Sequence, residues 1–182
     1  MIAALYVDAR GPYMDMHGVD PWTIDRDARL YDGPSSVVAH PPCADWSRLS
    51  GRAKLVEGRR ECGPRAVEQV QAFGGVLEHP AWSKLWHECD LPRPGEFADD
   101  LGGWTIAVDQ CAWGHRARKA TWLYIVGVHR SNVRPVLGGG VPTRVITTSK
   151  RGERLLKMSS LEARVTPPAF AEFLVNIARS AS

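Results

Sequence analysis

Ser36-Val37-Val38-Ala39-His40-Pro41-Pro42-Cys43 is the stretch that decides the fold prediction, together with the helix and strand that follow it. Its apolar centre is typical of a buried strand covered on both faces, and the two prolines end the strand because proline cannot continue a ladder. Residues 63–75 then predict a helix, opened by Gly63-Pro64 and closed by Gly74-Gly75. Residues 76–78 form the next strand. The order strand, helix, strand predicts a right-handed crossover that joins a parallel pair.

The rest of the chain extends this pattern in both directions. Residues 3–8 predict a first strand, and a turn-rich passage over 11–33 follows it. Residues 104–110 and 121–128 predict two further strands, joined as an antiparallel hairpin with an elaborated loop. Residues 131–150 are punctuated by glycine and proline and predict a mobile loop, and Pro167-Pro168 opens a last helix. We therefore predict a single compact α/β domain over 1–182, with a Rossmann-like, mostly parallel sheet and an antiparallel hairpin.

Composition excludes several classes of protein. The 182 residues are 44% hydrophobic and 24% charged, which is ordinary for a globular domain. No apolar run approaches the roughly 20 residues of a membrane span, and the first residues lack the features of a secretory signal. We expect a cytoplasmic protein with no membrane partner. The four cysteines form no Cys-x-x-Cys pair, so we expect them to be reduced and predict no metal site.

The net charge of +3 does not by itself indicate a nucleic-acid partner, but the distribution of the charge is informative. Basic residues form three clusters beside the motifs described below. A solvated surface is the ordinary explanation for such residues, whereas three clusters in these places favour a phosphate-bearing partner. The clusters are Arg48, Arg52, Lys54, Arg59, Arg60 and Arg65; His115, Arg116, Arg118 and Lys119; and Arg144, Lys150, Arg151, Arg154 and Lys157.

Three polar elements are expected to meet at one edge of the sheet, because ligands of open α/β sheets bind beyond the carboxyl ends of the parallel strands. They are Cys43, Glu78 and the basic loop 114–119, provided that the strand 104–110 runs parallel to the others. Cys43 is either a buried structural thiol or a thiolate nucleophile. Glu78 needs a partner or a function if it is buried. The loop arginines are exposed cations or a clamp for phosphate or carboxylate. The tryptophans are mostly core residues, although one or two near the site could stack on a base.

The motifs around these residues resemble those of the C5-cytosine DNA methyltransferases. His40-Pro41-Pro42-Cys43-Ala44-Asp45-Trp46-Ser47 is similar to the family's Gly-Pro-Pro-Cys-Gln-x-Phe-Ser, and Leu77-Glu78-His79-Pro80 to its strand ending in Glu-Asn-Val. Residues 113–119 are similar to Tyr-Gly-x-Pro-Gln-x-Arg-x-Arg. The chain is also similar to a group of small phage and prophage proteins that share His-Pro-Pro-Cys and Leu-Glu-His-Pro. This likeness implies a phage or prophage protein of the bacterial host cytoplasm.

The resemblance implies a mechanism and a set of site residues. Cys43 would add to C6 of a pyrimidine, Glu78 would bind the N3 and amino edge, and Arg116 or Arg118 would hold the base or its phosphate. S-adenosylmethionine would supply a methyl group to C5 of a base in DNA or in a nucleotide, and a base in a duplex would first be flipped out. Candidate cofactor contacts are Asp8, Tyr13, Asp20 and Pro41. Candidate substrate contacts are His40, Pro42, Asp45, Trp46, His79, Gln110, His115 and Lys119.

The chain also departs from that family. The cofactor loop Phe-x-Gly-x-Gly-Gly is missing, His79 stands in the place of the Asn, and no segment is long enough for a target-recognition domain. Two alternatives therefore stay open. One is a different modification through the same covalent adduct, such as hydroxymethylation, deamination or base exchange. The other is a catalytically inactive relative that binds nucleic acid or a host protein.

Overall fold

The computed structural model describes residues 1–47, 50–52, 54–136, 139–146 and 155–181. Within these ranges the strands are β1 (Ile2–Leu5), β2 (Val19–Trp22), β3 (Val37–Ala39), β4 (Gly75–Pro80), β5 (Trp104–Asp109) and β6 (Ala120–Val126). The α-helices are α1 (Cys62–Phe73), α2 (Lys84–Glu88) and α3 (Pro168–Arg179). Short 3₁₀ turns cover Pro12–Asp15, Ala28–Leu30, Ser50–Arg52, Gln110–Trp113, Arg130–Asn132 and Glu162–Arg164. None of the helices in these ranges has the combination of length and apolar character that a membrane span requires.

The strands form one mixed sheet in the order β2-β1-β3-β4-β6-β5. The pairs β2–β1, β1–β3 and β3–β4 are parallel, while β6 is antiparallel to both of its neighbours, β4 and β5. The parallel pair around α1 and the antiparallel hairpin at the end of the sheet are both confirmed. Because β4 and β5 each run opposite to β6, β5 has the same direction as the parallel strands.

The N-terminal part of the sheet differs from the prediction. The strand predicted over 3–8 ends at Leu5, because Tyr6 has a φ of +60°, which a strand ladder cannot accommodate. The passage predicted as turns over 11–33 contains β2, which pairs with β1. The glycine and proline residues around this strand predicted turns instead. Pro21 is tolerated within the strand because β2 lies at the edge of the sheet. The short helix α2 was also not predicted.

Helices cover both faces of the sheet. On one face α3 packs Phe170 and Leu174 against Ala4, Val38 and Val76. On the other face α1 packs its apolar side chains Ala66, Val67 and Val70 beside Leu5, Ala39 and Leu77. Alternate residues of each strand therefore enter opposite cores, as the period of a strand requires. The continuous apolar runs that predicted buried strands reflect these two cores.

The segment 131–150, which the sequence predicts to be a mobile loop, is described only in part. Residues 137–138 and 147–150 lie outside the described residues. Within 139–146, the backbone nitrogens of Thr143 and Arg144 both donate to the carbonyl of Arg116, at 2.9 Å each. Val145 also forms an isolated parallel bridge with Lys157. This part of the segment is therefore attached to the basic loop.

Gly75 gives a test of the central parallel pair. Its φ is +117°, and a Cβ at this position would collide with the backbone oxygen of Val37, its partner residue in β3. We expect Gly75→Ala to lower the free energy of unfolding by about 3 kcal/mol, from overpacking and backbone strain together. Gly95→Ala is the matched control, since Gly95 has a φ of +92° and no heavy atom within 4 Å, and should cost about 1 kcal/mol. Equal losses in urea denaturation would contradict the steric explanation.

Candidate active site

The topology brings the three predicted elements to one edge of the sheet. Residues 40–43 directly follow β3, and Glu78 lies near the end of the parallel strand β4. The loop after β5 starts at the same edge, because Asp109 and Pro80 lie opposite the adjacent residues Ala120 and Thr121 of β6. The predicted convergence is therefore confirmed at the level of topology.

A chain of hydrogen bonds joins the ends of these strands beneath the surface. The Tyr13 hydroxyl lies 2.6 Å from His40 Nε2, and His40 Nδ1 lies 2.9 Å from Glu78 Oε2. Gln110 Nε2 donates to Glu78 Oε1 at 2.9 Å and to Thr121 Oγ1 at 3.1 Å. Each of these residues except His40 is at least nine-tenths buried. The network ties β3, β4, β5 and β6 together around one carboxyl group.

The direction of these hydrogen bonds follows from the chemistry of the groups. The Thr121 hydroxyl donates to the backbone carbonyl of Lys119 at 3.0 Å, so its oxygen accepts from Gln110. This fixes the orientation of the Gln110 amide, whose nitrogen must donate to Glu78 as well. An ionised Glu78 then accepts from Gln110 on one oxygen and from His40 Nδ1–H on the other.

The electrostatics agree with an ionised Glu78. Burial by itself raises the pKa of this carboxyl, but the hydrogen bond from His40 and the charge of Lys119 outweigh it and bring the pKa down to about 2. Burial raises the pKa of Tyr13, and the charge of Glu78 acts in the same direction, so the phenol keeps its proton. Tyr13 can therefore donate to His40 Nε2 when the imidazole is neutral.

Cys43 lies on the surface of this edge, in a fixed turn. Its carbonyl accepts hydrogen bonds from the backbone nitrogens of Trp46 at 3.1 Å and Ser47 at 2.9 Å. Desolvation raises the pKa of the Cys43 thiol and the charge of Glu78 raises it further, whereas Lys119 and Arg164 oppose them. The residue is exposed, so solvent limits the desolvation. In the absence of a ligand Cys43 is thus a thiol and not a thiolate, although two cations lie within electrostatic reach.

Both arginines of the basic loop form exposed ion pairs. Arg116 lies 3.4 Å from Glu162, and Arg118 lies 3.4 Å from Asp109. Pairs of this kind contribute at most about 1 kcal/mol, so either arginine can exchange its carboxylate for a phosphate at little cost. The Asp109 carboxylate also accepts from the backbone nitrogens of Cys111 and Lys119, which fixes both ends of the loop.

Several predicted substrate contacts lie in the interior. Trp46, His79 and His115 are buried, and burial lowers the pKa of His79 to about 4, so its ring is neutral. Asp45 is held by Arg59 in a bidentate pair at 2.6 and 2.7 Å, and Pro42 is half-buried. Direct contact of Trp46, His79 or His115 with a base would need rearrangement. Among the predicted substrate contacts, His40 and Gln110 are hydrogen-bonded to Glu78, and the charge of Lys119 lowers its pKa.

Most of the four predicted cofactor contacts are buried or already hydrogen-bonded to other side chains. Both carboxylate oxygens of Asp20 are bonded by Arg26, and the Tyr13 hydroxyl is bonded to His40. Pro41 is buried. Only Asp8 leaves its carboxylate largely open, since its side chain is 62% exposed beside Arg10. These residues as they stand do not make a complete site for S-adenosylmethionine.

A cleft of about 430 Å³ opens beside the basic loop, and this volume is in the range of small-molecule sites. It lies between residues 113–116, Met158, Glu162, Val165 and the first residues of α3.

Two residues near the candidate site were not predicted from sequence: Thr121, which fixes the orientation of Gln110, and Arg164, whose charge lowers the pKa of Cys43. No motif marks either of them. Of the basic clusters, Arg48, Lys150, Arg151 and Arg154 lie outside the described residues. The described ranges contain no group of three or more metal-ligating side chains.

Glu78 makes the stability of the fold depend on pH. Its folded-state pKa of about 2 lies below the usual 4.5, so the carboxylate stabilises the fold above pH 4.5 and this contribution disappears as the pH falls toward 2. We expect Glu78→Gln to lower the free energy of unfolding by about 3 kcal/mol at pH 7, with the difference shrinking between pH 5 and 3. Urea denaturation measures both. Glu68→Gln, in an exposed pair with Arg65, is the control and should change little. A constant difference from pH 7 to 3 would contradict an ionised Glu78.

Comparison of the sequence with models of known protein families finds no match. Comparison with curated proteins finds no match either. The features that bear on function are therefore the Cys43, Glu78 and 113–119 motifs and the geometry of this edge of the sheet, where an exposed thiol, a buried carboxylate and a basic loop meet.

Proposed function

We propose that this protein is a pyrimidine-modifying enzyme, on a Rossmann-like fold, that acts on DNA or a nucleotide through a covalent adduct at Cys43, and that it resembles the C5-cytosine DNA methyltransferases. The observation that supports this most is the position of Cys43, exposed in a fixed turn within electrostatic reach of Glu78 and Lys119. These groups come from three elements that are far apart in the sequence. The fold brings the thiol, the carboxylate and the cation to one edge.

The adduct forms when the Cys43 sulfur adds to C6 of the base. The thiol first loses its proton to solvent, to which it is exposed, and Lys119 and Arg164 stabilise the thiolate. The sulfur–C6 bond forms as the C5–C6 π electrons move toward C5 and the ring, so that C5 becomes nucleophilic. An electrophile then bonds to C5. Loss of the C5 proton and departure of the thiolate restore the double bond and free Cys43.

Glu78 recognises the base as a hydrogen-bond acceptor. Each of its oxygens already accepts one hydrogen bond, and each carboxylate oxygen has a second lone pair. An ionised Glu78 accepts from the exocyclic amino group of cytosine. It binds N3 only after N3 has gained a proton, which addition of the thiolate favours because it places negative charge on the ring. His40 and Gln110 position this carboxylate, and Arg116 or Arg118 holds a phosphate.

S-adenosylmethionine, when bound, would supply the methyl group that C5 takes up. Of the four residues expected to contact it, Asp8 is available, whereas Asp20 and Tyr13 are already bonded to other side chains. Calorimetric titration with S-adenosylmethionine and its demethylated product tests this part of the proposal. Binding would favour methyl transfer. Its absence would favour another modification of the same adduct, such as hydroxymethylation, deamination or base exchange.

The covalent step can be trapped. A fluorine at C5 cannot leave as the proton does, so a 5-fluoropyrimidine oligonucleotide or nucleotide should stop at the adduct once an electrophile has added to C5. Incubations with and without S-adenosylmethionine are compared, and we expect an adduct by intact-protein mass spectrometry in the wild type and none in Cys43→Ser, with turnover reduced about thousandfold or more. Cys62→Ser, which replaces a partly buried cysteine of α1, should retain both. Full activity in folded Cys43→Ser would rule out this mechanism.

A second candidate function is binding of nucleic acid without catalysis. The raised thiol pKa of Cys43 and the internal hydrogen bond on each oxygen of Glu78 favour it, since neither group is activated in the free protein. Oligonucleotide binding with no adduct and no turnover would support this candidate over the enzyme. An adduct of any kind would exclude it.

The reactivity of Cys43 probes this distinction directly. Because desolvation and the charge of Glu78 both raise the pKa of its thiol, we expect Cys43 to be alkylated by iodoacetamide at pH 8 more slowly than free cysteine. Glu78→Gln should increase the rate severalfold, and Glu68→Gln, which changes an exposed glutamate of α1, should not. Site-resolved mass spectrometry gives the rates. An unchanged rate in Glu78→Gln would show that the two groups are not coupled.

A further inference from the structure

Trp82 differs from the other tryptophans of the chain in its exposure. Its relative exposure is 63%, whereas Trp46, Trp86, Trp104 and Trp122 are at most 9% exposed. Trp22 and Trp113 are partly buried. An exposed indole next to a candidate site offers a flat surface on which a base can stack.

The position of Trp82 connects it to that site. It follows β4 by two residues, and the preceding Ala81 donates its backbone N–H to the carbonyl of Ala120, at 3.0 Å. Ala120 is the neighbour of Lys119 in the basic loop. On the other side, the backbone N–H of Lys84 donates to the carbonyl of Trp46 at 2.9 Å, in the turn that carries Cys43. The turn that presents Trp82 therefore bridges the nucleophile turn and the basic loop.

The backbone holds Trp82 in an unfavourable conformation. Its φ is +60°, which is rare for a bulky side chain and persists only where the surroundings impose it. The surroundings are the hydrogen bond from Ser83 N to Pro80 O at 3.2 Å and the helix cap, in which Ser83 Oγ accepts from Leu85 N at 3.1 Å. Backbone strain of this kind is concentrated at functional sites.

The indole of Trp82 packs at one end of a row of three tryptophan rings. Its ring lies 6.0 Å from that of Trp122, and Trp122 lies 5.5 Å from Trp86 in an edge-on arrangement. Trp122 therefore contacts the indole of Trp82 on one side and leaves most of it exposed. Lys84 follows Trp82 by two residues, is exposed and donates from Nζ to Ser50 Oγ at 2.8 Å, and Lys119 precedes Ala120. The backbone segments that adjoin Trp82 therefore carry positive charge. Aromatic stacking beside cations is the usual way to hold single-stranded nucleic acid.

We propose that Trp82 stacks on a nucleobase of single-stranded DNA that flanks the base held at Cys43 and Glu78. This inference rests on the proposed function and assigns it a polynucleotide substrate. Glu78 is only 8% exposed, so a base that reaches it must leave the surface, whereas Trp82 stays at the surface. The two residues therefore hold two different bases of one strand. A free nucleotide has a single base and cannot occupy both places.

The test measures binding of oligodeoxycytidine and of dCMP in a Cys43→Ser background, so that no covalent step contributes. Trp82→Gly removes the indole and suits the positive φ, and we expect it to weaken oligonucleotide binding about tenfold while dCMP binding stays the same. Trp82→Phe should retain most of the affinity. Phe97→Ala, which removes an exposed aromatic ring from the loop leading into β5, should have no effect. The salt dependence should be unchanged, because no phosphate contact is lost.

Normal oligonucleotide binding by Trp82→Gly would overturn the inference, as would an equal loss of dCMP binding, which would place Trp82 at the target base. Circular dichroism and the melting temperature show whether the variant is folded, and if it is not, Trp82→Asn takes its place, because Asn tolerates a positive φ and has no ring to stack. Self-association of the wild type that disappears in Trp82→Gly, without a change in DNA binding, would assign the indole to a protein interface instead. Failure to trap an adduct at Cys43 would refute the proposed enzyme but leave the stacking result intact.

Discussion

The buried carboxylate of Glu78 is the constraint on which the site depends. A charge in the interior is costly unless it is paired and hydrogen-bonded, and Glu78 lies near the end of a central strand. His40 from the end of β3 and Gln110 from the end of β5 satisfy it, and Tyr13 and Thr121 orient these two partners. One carboxylate therefore fixes the relative positions of the loops that follow three strands.

This arrangement separates the side chains that fix the position of Glu78 from the side chains that we propose to react with the base or bind its phosphate. His40 and Gln110 are both hydrogen-bonded to Glu78, so the three side chains are pre-positioned and lose little freedom on ligand binding. Cys43, Arg116 and Arg118 lie outside the network, either exposed or in exposed ion pairs that exchange easily. A rigid interior with adaptable groups around it suits recognition of a planar base by the interior and of its phosphate by the loop.

The two cores explain why this edge can carry strain. α3 and α1 cover opposite faces of the sheet, and the strands between them are buried on both sides. Stability from these cores offsets the left-handed backbone of Trp82, which is a costly feature at the edge of the sheet. The part of the structure that holds the fold together is thus distinct from the part that we propose to bind the ligand.

The sequence alone determined the parallel pair β3–β4, its helix, the antiparallel hairpin and the convergence of Cys43, Glu78 and the basic loop, because apolar runs ended by proline and a helical period are local signals. It did not reveal β2, whose turn-like composition becomes a strand only through pairing with β1. It also did not reveal that Tyr13 is hydrogen-bonded to His40 and His40 to Glu78. It gave no reason to choose Trp82 among the tryptophans. Which polar groups meet, which aromatic rings stay exposed and which carboxylate keeps its charge depend on contacts between distant segments, and only the tertiary structure decided them.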